Sequence, residues 1–113
     1  MTDLESELEL DAELAELRRS YARELPRKLD QLGELLQGAF EARDRESVDA
    51  ARQLAHSLMG SSGSYGFRTT SQELKRIEDS LESLLEAETL DLEARWPEIE
   101  RAFDRARRVL PGS

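Results

Sequence analysis

Leucine, tyrosine and alanine recur at steps of three and four residues through the first third of the chain. The series consists of Leu14, Leu17, Tyr21, Leu25, Leu29, Leu32, Leu36 and Ala39. These steps place the side chains in one stripe along a helix, which would face a core. Pro26 lies inside the series, and a proline removes one helical hydrogen bond and clashes with the preceding turn. The pattern therefore predicts either one helix that is kinked near Leu25 or a short helix followed closely by a longer one, and we favour a short leader helix and a main helix that ends near Ala42.

The second stripe follows a polar break at residues 44–47, where Asp44 can cap a helix. Its members are Val48, Ala51, Ala55 and Leu58. The helix predicted from this stripe continues through His56, the only histidine of the chain, into a cluster of glycines and serines at residues 60–66. Each Gly inside a helix costs about 1 kcal/mol relative to Ala, so stability does not explain the cluster.

Two more amphipathic segments complete the chain. Residues 69–73 contain two overlapping capping boxes, which predict a third helix from residue 69 or 70 to about Ala87. Its stripe consists of Leu74, Ile77, Leu81 and either Leu84 or Leu85. Thr89 or Asp91 can open a fourth helix, which Pro111 would end. The stripe of this helix consists of Leu92, Trp96, Ile99, Phe103, Ala106 and Leu110.

Short connections between long amphipathic helices favour antiparallel neighbours. The predicted fold is therefore all-α, an up-down four-helix bundle with a short N-terminal leader helix. A chain of 113 residues can bury one modest core, so we expect a single domain over residues 1–113. Residues 1–13 form an acidic head that is compatible with disorder or with a cap over one end of the bundle. No continuous apolar seam is evident outside the core stripes, so we expect a monomer.

Charge and composition exclude several classes of function. The chain has 25 acidic and 16 basic side chains, and its formal net charge is -9. Such a field repels nucleic-acid phosphates and anionic lipids, so neither nucleic acid nor a membrane is expected as a partner. The absence of cysteine and the single histidine argue against disulfides and a metal site. The N-terminal residues lack the basic and apolar regions of a secretory signal, so we expect a cytoplasmic protein.

His56 is the candidate for chemistry. Its neighbours on the helical wheel are Arg52, Gln53, Met59, Gly60 and Gly63. This face lies away from the core stripe, so the imidazole should point to solvent above a surface with few side chains, where another protein's backbone can come close. A neutral imidazole is a competent nucleophile, but no second histidine, cysteine or nucleotide-binding loop accompanies it. Such a nucleophile has to receive its group from a partner.

Three stretches of the sequence resemble the histidine-containing phosphotransfer (Hpt) domains of two-component phosphorelays. They are HSLMGSS at residues 56–62, the SYGF turn at residues 64–67, and Ile77-Glu78 on the next helix. The resemblance implies a four-helix bundle in which a phosphoryl group passes between His56 and the aspartate of a receiver domain. It also implies that Gly60 gives clearance to the docking receiver and that Gly66 shapes the turn between the central helices.

The resemblance further implies the partners of the chain. They would be a response-regulator receiver domain, a hybrid histidine kinase, or both, in a bacterial cytoplasm. The protein would be a phosphocarrier without an ATP site, and no enzyme in its own right. Because the Mg²⁺ that assists transfer belongs to the receiver, no cofactor is expected for this chain.

One position departs from the family pattern. Members of the family often carry a lysine three residues after the histidine, where this chain has Met59. If the helices reverse near residues 66 and 67, residues 75–79 lie opposite His56. This placement nominates Lys75 as a replacement cation and Glu78 as a hydrogen-bond partner of the ring, with Arg52 as a second candidate cation. The docking surface expected for a receiver comprises Gln53, Met59, Gly60 and Gly63, with Arg52 beside them.

A second hypothesis makes the protein an adaptor that binds or sequesters a receiver or a kinase without being phosphorylated. Met59 in place of the lysine is the feature that keeps this hypothesis open. Replacement of His56 by glutamine separates the two, because relay flux requires the imidazole and binding alone does not.

Overall fold

The structure is a computed structural model that describes residues 3–109, and these residues form four α-helices. The helices are α1 (Asp3–Ala42), α2 (Arg45–Ser64), α3 (Arg68–Glu86) and α4 (Leu92–Arg108). Successive helices run in opposite directions, each packed on the one before it, and α1 also contacts α4. The predicted all-α four-helix bundle is thus confirmed. Within the described residues no helix is both long and apolar enough to cross a membrane.

The first helix is a single element of 40 residues, so the favoured division into a leader and a main helix is wrong, and the alternative of one helix through Pro26 is correct. Pro26 lies in its interior, where the missing amide removes one hydrogen bond. Leu25 and Leu29 are fully buried on either side of Pro26, and their packing holds the helix together across this point. At 1.5 Å per residue α1 is about 60 Å long. It accounts for the longest dimension of the described chain, which is 61 Å.

The N-terminal part of α1 extends past the rest of the bundle. All residues from 3 to 14 are exposed, so the part of the acidic head that the structure describes forms helical turns with no cover. Leu14 and Leu17, which the spacing assigned to the core, are 59% and 51% exposed. Burial begins only at Tyr21, because the other described helices end there and none of them lies beside the turns before it. We call residues 3–17 the overhang.

The core lies between the four helices and is aliphatic. Its largest fully buried apolar side chains are Leu25, Leu29, Leu32, Val48, Leu74, Ile77, Leu81, Leu92 and Ile99. Trp96 of α4 packs on Phe40 of α1, with ring centroids 4.8 Å apart. Leu110 and Pro111, predicted to complete and end the last helix, lie outside the described residues.

Side chains cap two of the helices as predicted, and one helix begins differently. Asp44 accepts a hydrogen bond from the backbone N–H of Ser47 at 2.8 Å and caps α2. Asp91 caps α4. The capping boxes predicted at residues 69–73 do not form, because α3 begins earlier and has no side-chain cap. Thr70 consequently lies in the first turn of α3, where it is buried.

Candidate functional site

The turn between α2 and α3 positions the candidate site. Only three residues separate the two helices. Gly66 has a φ of +83°, a left-handed conformation that costs other residues about 1–2 kcal/mol. The N–H of Gly66 donates to the carbonyl of Gly63 at 3.1 Å, and the N–H of Phe67 donates to the carbonyl of Ser62 at 2.8 Å. These two bonds reverse the chain tightly and set α3 alongside α2.

Helix α1 holds this turn in place. The hydroxyl of Tyr21 shares hydrogen bonds with the hydroxyls of Ser61 and Ser62, at 2.7 and 3.0 Å. The ring of Tyr21 stacks on Tyr65 with centroids 4.7 Å apart, and it also contacts the ring of Phe67. Sequence reasoning missed this packing role of the aromatic turn residues. The two aromatic residues of the SYGF stretch, Tyr65 and Phe67, are the feature of the sequence that could have indicated it.

The reversal brings Glu78 of α3 against His56 of α2. His56 Nδ1 lies 2.8 Å from Glu78 Oε1. The two side chains differ sharply in exposure, because the imidazole is 62% exposed and the carboxylate only 8%. The second oxygen of Glu78, Oε2, is buried and has no hydrogen-bond partner among the described residues. A solvent-facing imidazole is therefore anchored to a carboxylate that lies inside the bundle.

This contact determines which ring nitrogen can react. An ionised carboxylate only accepts hydrogen bonds, so Nδ1 of a neutral His56 is the donor and carries the proton. The lone pair of the ring then lies on Nε2, the nitrogen that Glu78 does not engage. A bond formed at Nε2 gives the ring a positive charge, which the adjacent carboxylate stabilises. The arrangement thus favours one tautomer of the ring and leaves on Nε2 a lone pair that can act as a nucleophile.

Asp49 restrains two of the side chains predicted for the site. Arg52 Nε donates to Asp49 Oδ1 at 2.9 Å, and Gln53 Nε2 donates to Asp49 Oδ2 at 2.6 Å. These bonds, that of Arg52 first, hold the pKa of Asp49 below its ordinary value. Sequence reasoning placed Arg52 and Gln53 on the face of His56 and missed Asp49. The spacing of three and four residues was the signal that could have found it.

Lys75, the other candidate cation, is also paired. Its Nζ donates to Asp79 Oδ1 at 3.2 Å on the exposed face of α3. The carboxylate of Asp79 is the main reason that the pKa of Lys75 is raised, and Glu78 contributes a smaller part. Lys75 lies three residues before Glu78 on α3, on the neighbouring turn of the helix. Neither Lys75 nor Arg52 hydrogen-bonds to His56 or Glu78 in the part of the chain that the structure describes.

Comparison with known protein families agrees with the sequence motifs. The family model for the Hpt domain matches residues 16–109, which is most of the chain. The chain belongs to the Hpt domain family. Hpt domains are phosphorelay carriers without an ATP site of their own, and they interact with receiver domains and kinases. No curated protein and no solved structure matches the chain.

The glycines of this Hpt domain occupy two different environments. A Cβ atom on Gly60 would meet nothing within 4 Å, so the surface one turn after His56 is open. A Cβ on Gly63 would lie 3.2 Å from Ser71 Oγ, and that hydroxyl donates to the carbonyl of Met59 at 2.8 Å. Gly63 thus allows α3 to approach α2, a packing role that sequence reasoning missed.

Met59 lies differently from its predicted position. The helical wheel placed it on the outer face with His56, whereas in the Hpt domain it is partly buried and packs against the hydrophobic core. The reason is that α3 lies close enough to cover this part of α2. Only part of the Met59 side chain therefore remains at the surface.

Proposed function

We propose that this Hpt domain is a phosphocarrier in which His56 accepts a phosphoryl group from the aspartate of one receiver domain and donates it to another. The observation that carries the proposal is the 2.8 Å contact between His56 Nδ1 and Glu78. An exposed histidine without a task has no need of a buried carboxylate that leaves one of its own oxygens unpaired. With Nδ1 as the donor to Glu78, the lone pair for the attack would lie on Nε2, which Glu78 does not engage.

The phosphoryl transfer from the receiver's aspartate to His56 needs only groups that the two proteins supply. Nε2 attacks the phosphorus of the receiver's aspartyl phosphate, and an N–P bond forms as the P–O bond to the aspartate breaks. The aspartate leaves as a carboxylate with the electron pair of that bond. Nδ1 keeps its proton, and Glu78 balances the positive charge of the ring. The receiver supplies Mg²⁺ that stabilises the transferring group, so this chain contributes the nucleophile and its orientation.

The receiver, from a response regulator or a hybrid histidine kinase of a bacterial cytoplasm, would dock over the middle of α2. The open space at Gly60 supports this placement, because a partner's backbone can come close there. Gln53, Gly63 and the exposed part of Met59 complete the docking surface. Arg52 and Lys75 would support the phosphoryl group by sharing their charge between it and their present partners, Asp49 and Asp79.

Phosphorus NMR of the purified protein tests the proposal. The protein is mixed with a phosphorylated receiver and Mg²⁺ and observed at alkaline pH, where phosphohistidine persists. Because His56 is the only histidine, a phosphohistidine signal reports on this one position. We expect a signal that is absent in His56→Gln. Binding of a receiver without any phosphohistidine would contradict the proposal and identify the protein as an adaptor.

A further inference from the structure

The overhang of α1 carries an apolar face that no other described residue covers. Its leucines, each between 51% and 64% exposed, are Leu4, Leu8, Leu10, Leu14 and Leu17. The last three form one row along the helix, since they follow one another at steps of four and three residues. This row leads directly into Tyr21 and Leu25, which are buried in the core. The overhang thus continues the core stripe of α1 beyond the helices that bury it.

Acidic side chains share this face. Residues 3–16 contain seven carboxylates and neither lysine nor arginine. Asp3, Glu7 and Asp11 follow one another at steps of four and so form a row. Leu10 and Leu14 each follow an acid of this row by three residues, so the leucine row that ends at Leu17 lies on one side of the acid row. Leu4 and Leu8 each precede an acid of the row by three residues and lie on its other side. Glu7 and Asp11 form no ion pair with any other residue between 3 and 109.

The overhang is separate from the site at His56. The family match begins at residue 16, so all but the last two residues of the overhang lie outside the shared domain. His56 is eight residues, about 12 Å of helix, from the end of α2, and the overhang extends from that end in the opposite direction. The overhang therefore lies outside the docking surface proposed around His56.

We propose that the overhang binds a basic amphipathic helix of a partner protein. The apolar side chains of that helix would cover the two leucine rows and remove them from water. Its lysines and arginines would pair with the acid row that lies between the leucines. A second copy of the chain fits poorly, because it would bring seven carboxylates against seven others. An anionic membrane surface is repelled for the same reason.

Synthetic peptides titrated into the full chain by calorimetry test this proposal. The probe is a helical peptide of about 20 residues in which a row of lysines, at steps of three and four, lies between two rows of leucines. One control peptide has glutamate in place of every lysine, and another keeps the composition but scrambles the leucine spacing. Two variants of the protein are compared. The leucine variant combines Leu10→Ser, Leu14→Ser and Leu17→Ser, and the acid variant combines Glu7→Lys and Asp11→Lys. Leu35→Ser, which changes a leucine that is exposed outside the overhang, is the matched control.

We expect the lysine peptide to bind and the two control peptides to bind much more weakly. Each overhang variant should weaken binding of the lysine peptide by at least about 10-fold, while Leu35→Ser leaves it unchanged. Equal binding of the scrambled peptide, or undiminished binding in the leucine variant, would show simple charge attraction and overturn the proposal. Absence of binding would also overturn it.

Two further measurements complete the test. A dimer of the free chain in sedimentation, dissociated by the leucine variant, would make a second copy the occupant and overturn the proposal. His56→Gln should bind the lysine peptide as the unchanged chain does, because the overhang acts independently of phosphotransfer. Loss of peptide binding in His56→Gln would contradict that independence and overturn the assignment to the overhang.

Discussion

Two glutamates of α3, Glu73 and Glu78, are buried equally, at 6% exposure of the whole residue each, on opposite sides of the helix. Glu73 faces α4, where Arg105 Nε donates to one oxygen at 2.8 Å and Arg76 lies 3.7 Å from the other. Glu78 faces α2, where it contacts His56 through one oxygen, and its other oxygen has no partner among the described residues. A buried carboxylate that serves stability uses both oxygens, whereas an unpaired buried oxygen is typical of a functional site.

Replacing Glu78 or Glu73 should give the largest difference between the side of α3 that faces α2 and the side that faces α4. The quantity compared is the rate of phosphoryl transfer to His56. Glu78→Ala leaves Nδ1 without its acceptor, so the tautomer and the ring direction are lost. We expect transfer to His56 to slow by at least about 10-fold, as for the loss of a hydrogen bond to a charged group. Glu78→Gln keeps an acceptor without the charge and should restore part of the rate.

Glu73→Ala is the matched control for this change, since it removes an equally buried carboxylate on the side of α4. It should leave the transfer rate within about two-fold of the unchanged chain. The measurement is the decay of a phosphorylated receiver after mixing with each variant. Equal slowing in both variants would mean that loosening of α3, and not the contact with His56, controls the rate.

Stability should respond to the two glutamates in the reverse order. Glu73→Leu leaves Arg105 and Arg76 without their carboxylate and should lower the free energy of unfolding by about 1–2 kcal/mol. Glu78→Leu removes the unpaired buried oxygen and should leave the protein at least as stable as before. Urea unfolding of both variants measures the difference. A clear loss of stability in Glu78→Leu would show that Glu78 also holds the bundle together.

Glycine positions sharpen the comparison on the α2 side. Gly60 and Gly38 both lie in helices with open space where a Cβ would be, so alanine should stabilise each helix by up to about 1 kcal/mol. Only Gly60→Ala adds a methyl group beside His56, and it should weaken receiver binding by about 5-fold, equivalent to about 1 kcal/mol. Calorimetric titration with a receiver compares the two variants. Equal affinity in both would remove Gly60 from the docking surface.

The smallest effect, on the lifetime of phosphohistidine, is expected from replacing the carboxylates that pair with Lys75 and Arg52. Asp79→Asn and Asp49→Asn would release Lys75 and Arg52, and each should lengthen the lifetime of phosphohistidine by about 2-fold, because exposed pairs are weak. The pKa of Asp49 lies below an ordinary value that is itself acidic, so its carboxylate is charged at neutral pH and its hold on Arg52 operates where the relay would work. Phosphorus NMR measures the lifetimes. Unchanged lifetimes in both variants would remove the cations from the mechanism.

Side-chain spacing predicted most of the bundle, because spacing alone decides which residues share a face of a helix. It failed at the start of α1, where Leu14 and Leu17 continue the stripe but no other helix between residues 3 and 109 lies beside them. Spacing shows which face is apolar and not whether a neighbour covers it. At Pro26 the stripe continues without a break, and the division favoured there because of the proline was wrong, since packing of Leu25 and Leu29 outweighs one lost hydrogen bond.

At the site, the pairing of His56 with Glu78 could be predicted from the sequence, because both residues lie eleven positions from Phe67, where the chain reverses. The sequence predicts two other contacts less well. They are the hydrogen bond between Arg52 and Asp49 and the close approach of Gly63 to Ser71. Both depend on rotamers and on the distance between helices, which the order of residues does not determine.

The packing of Trp96 on Phe40 has a practical consequence. Trp96 is the only tryptophan and is buried, and the indole lies away from both His56 and the overhang. Its fluorescence should shift when the bundle unfolds and stay constant when a receiver or a helix binds. The protein therefore carries a built-in optical probe of folding, so a variant that merely unfolds can be recognised, without any label, before its binding is measured.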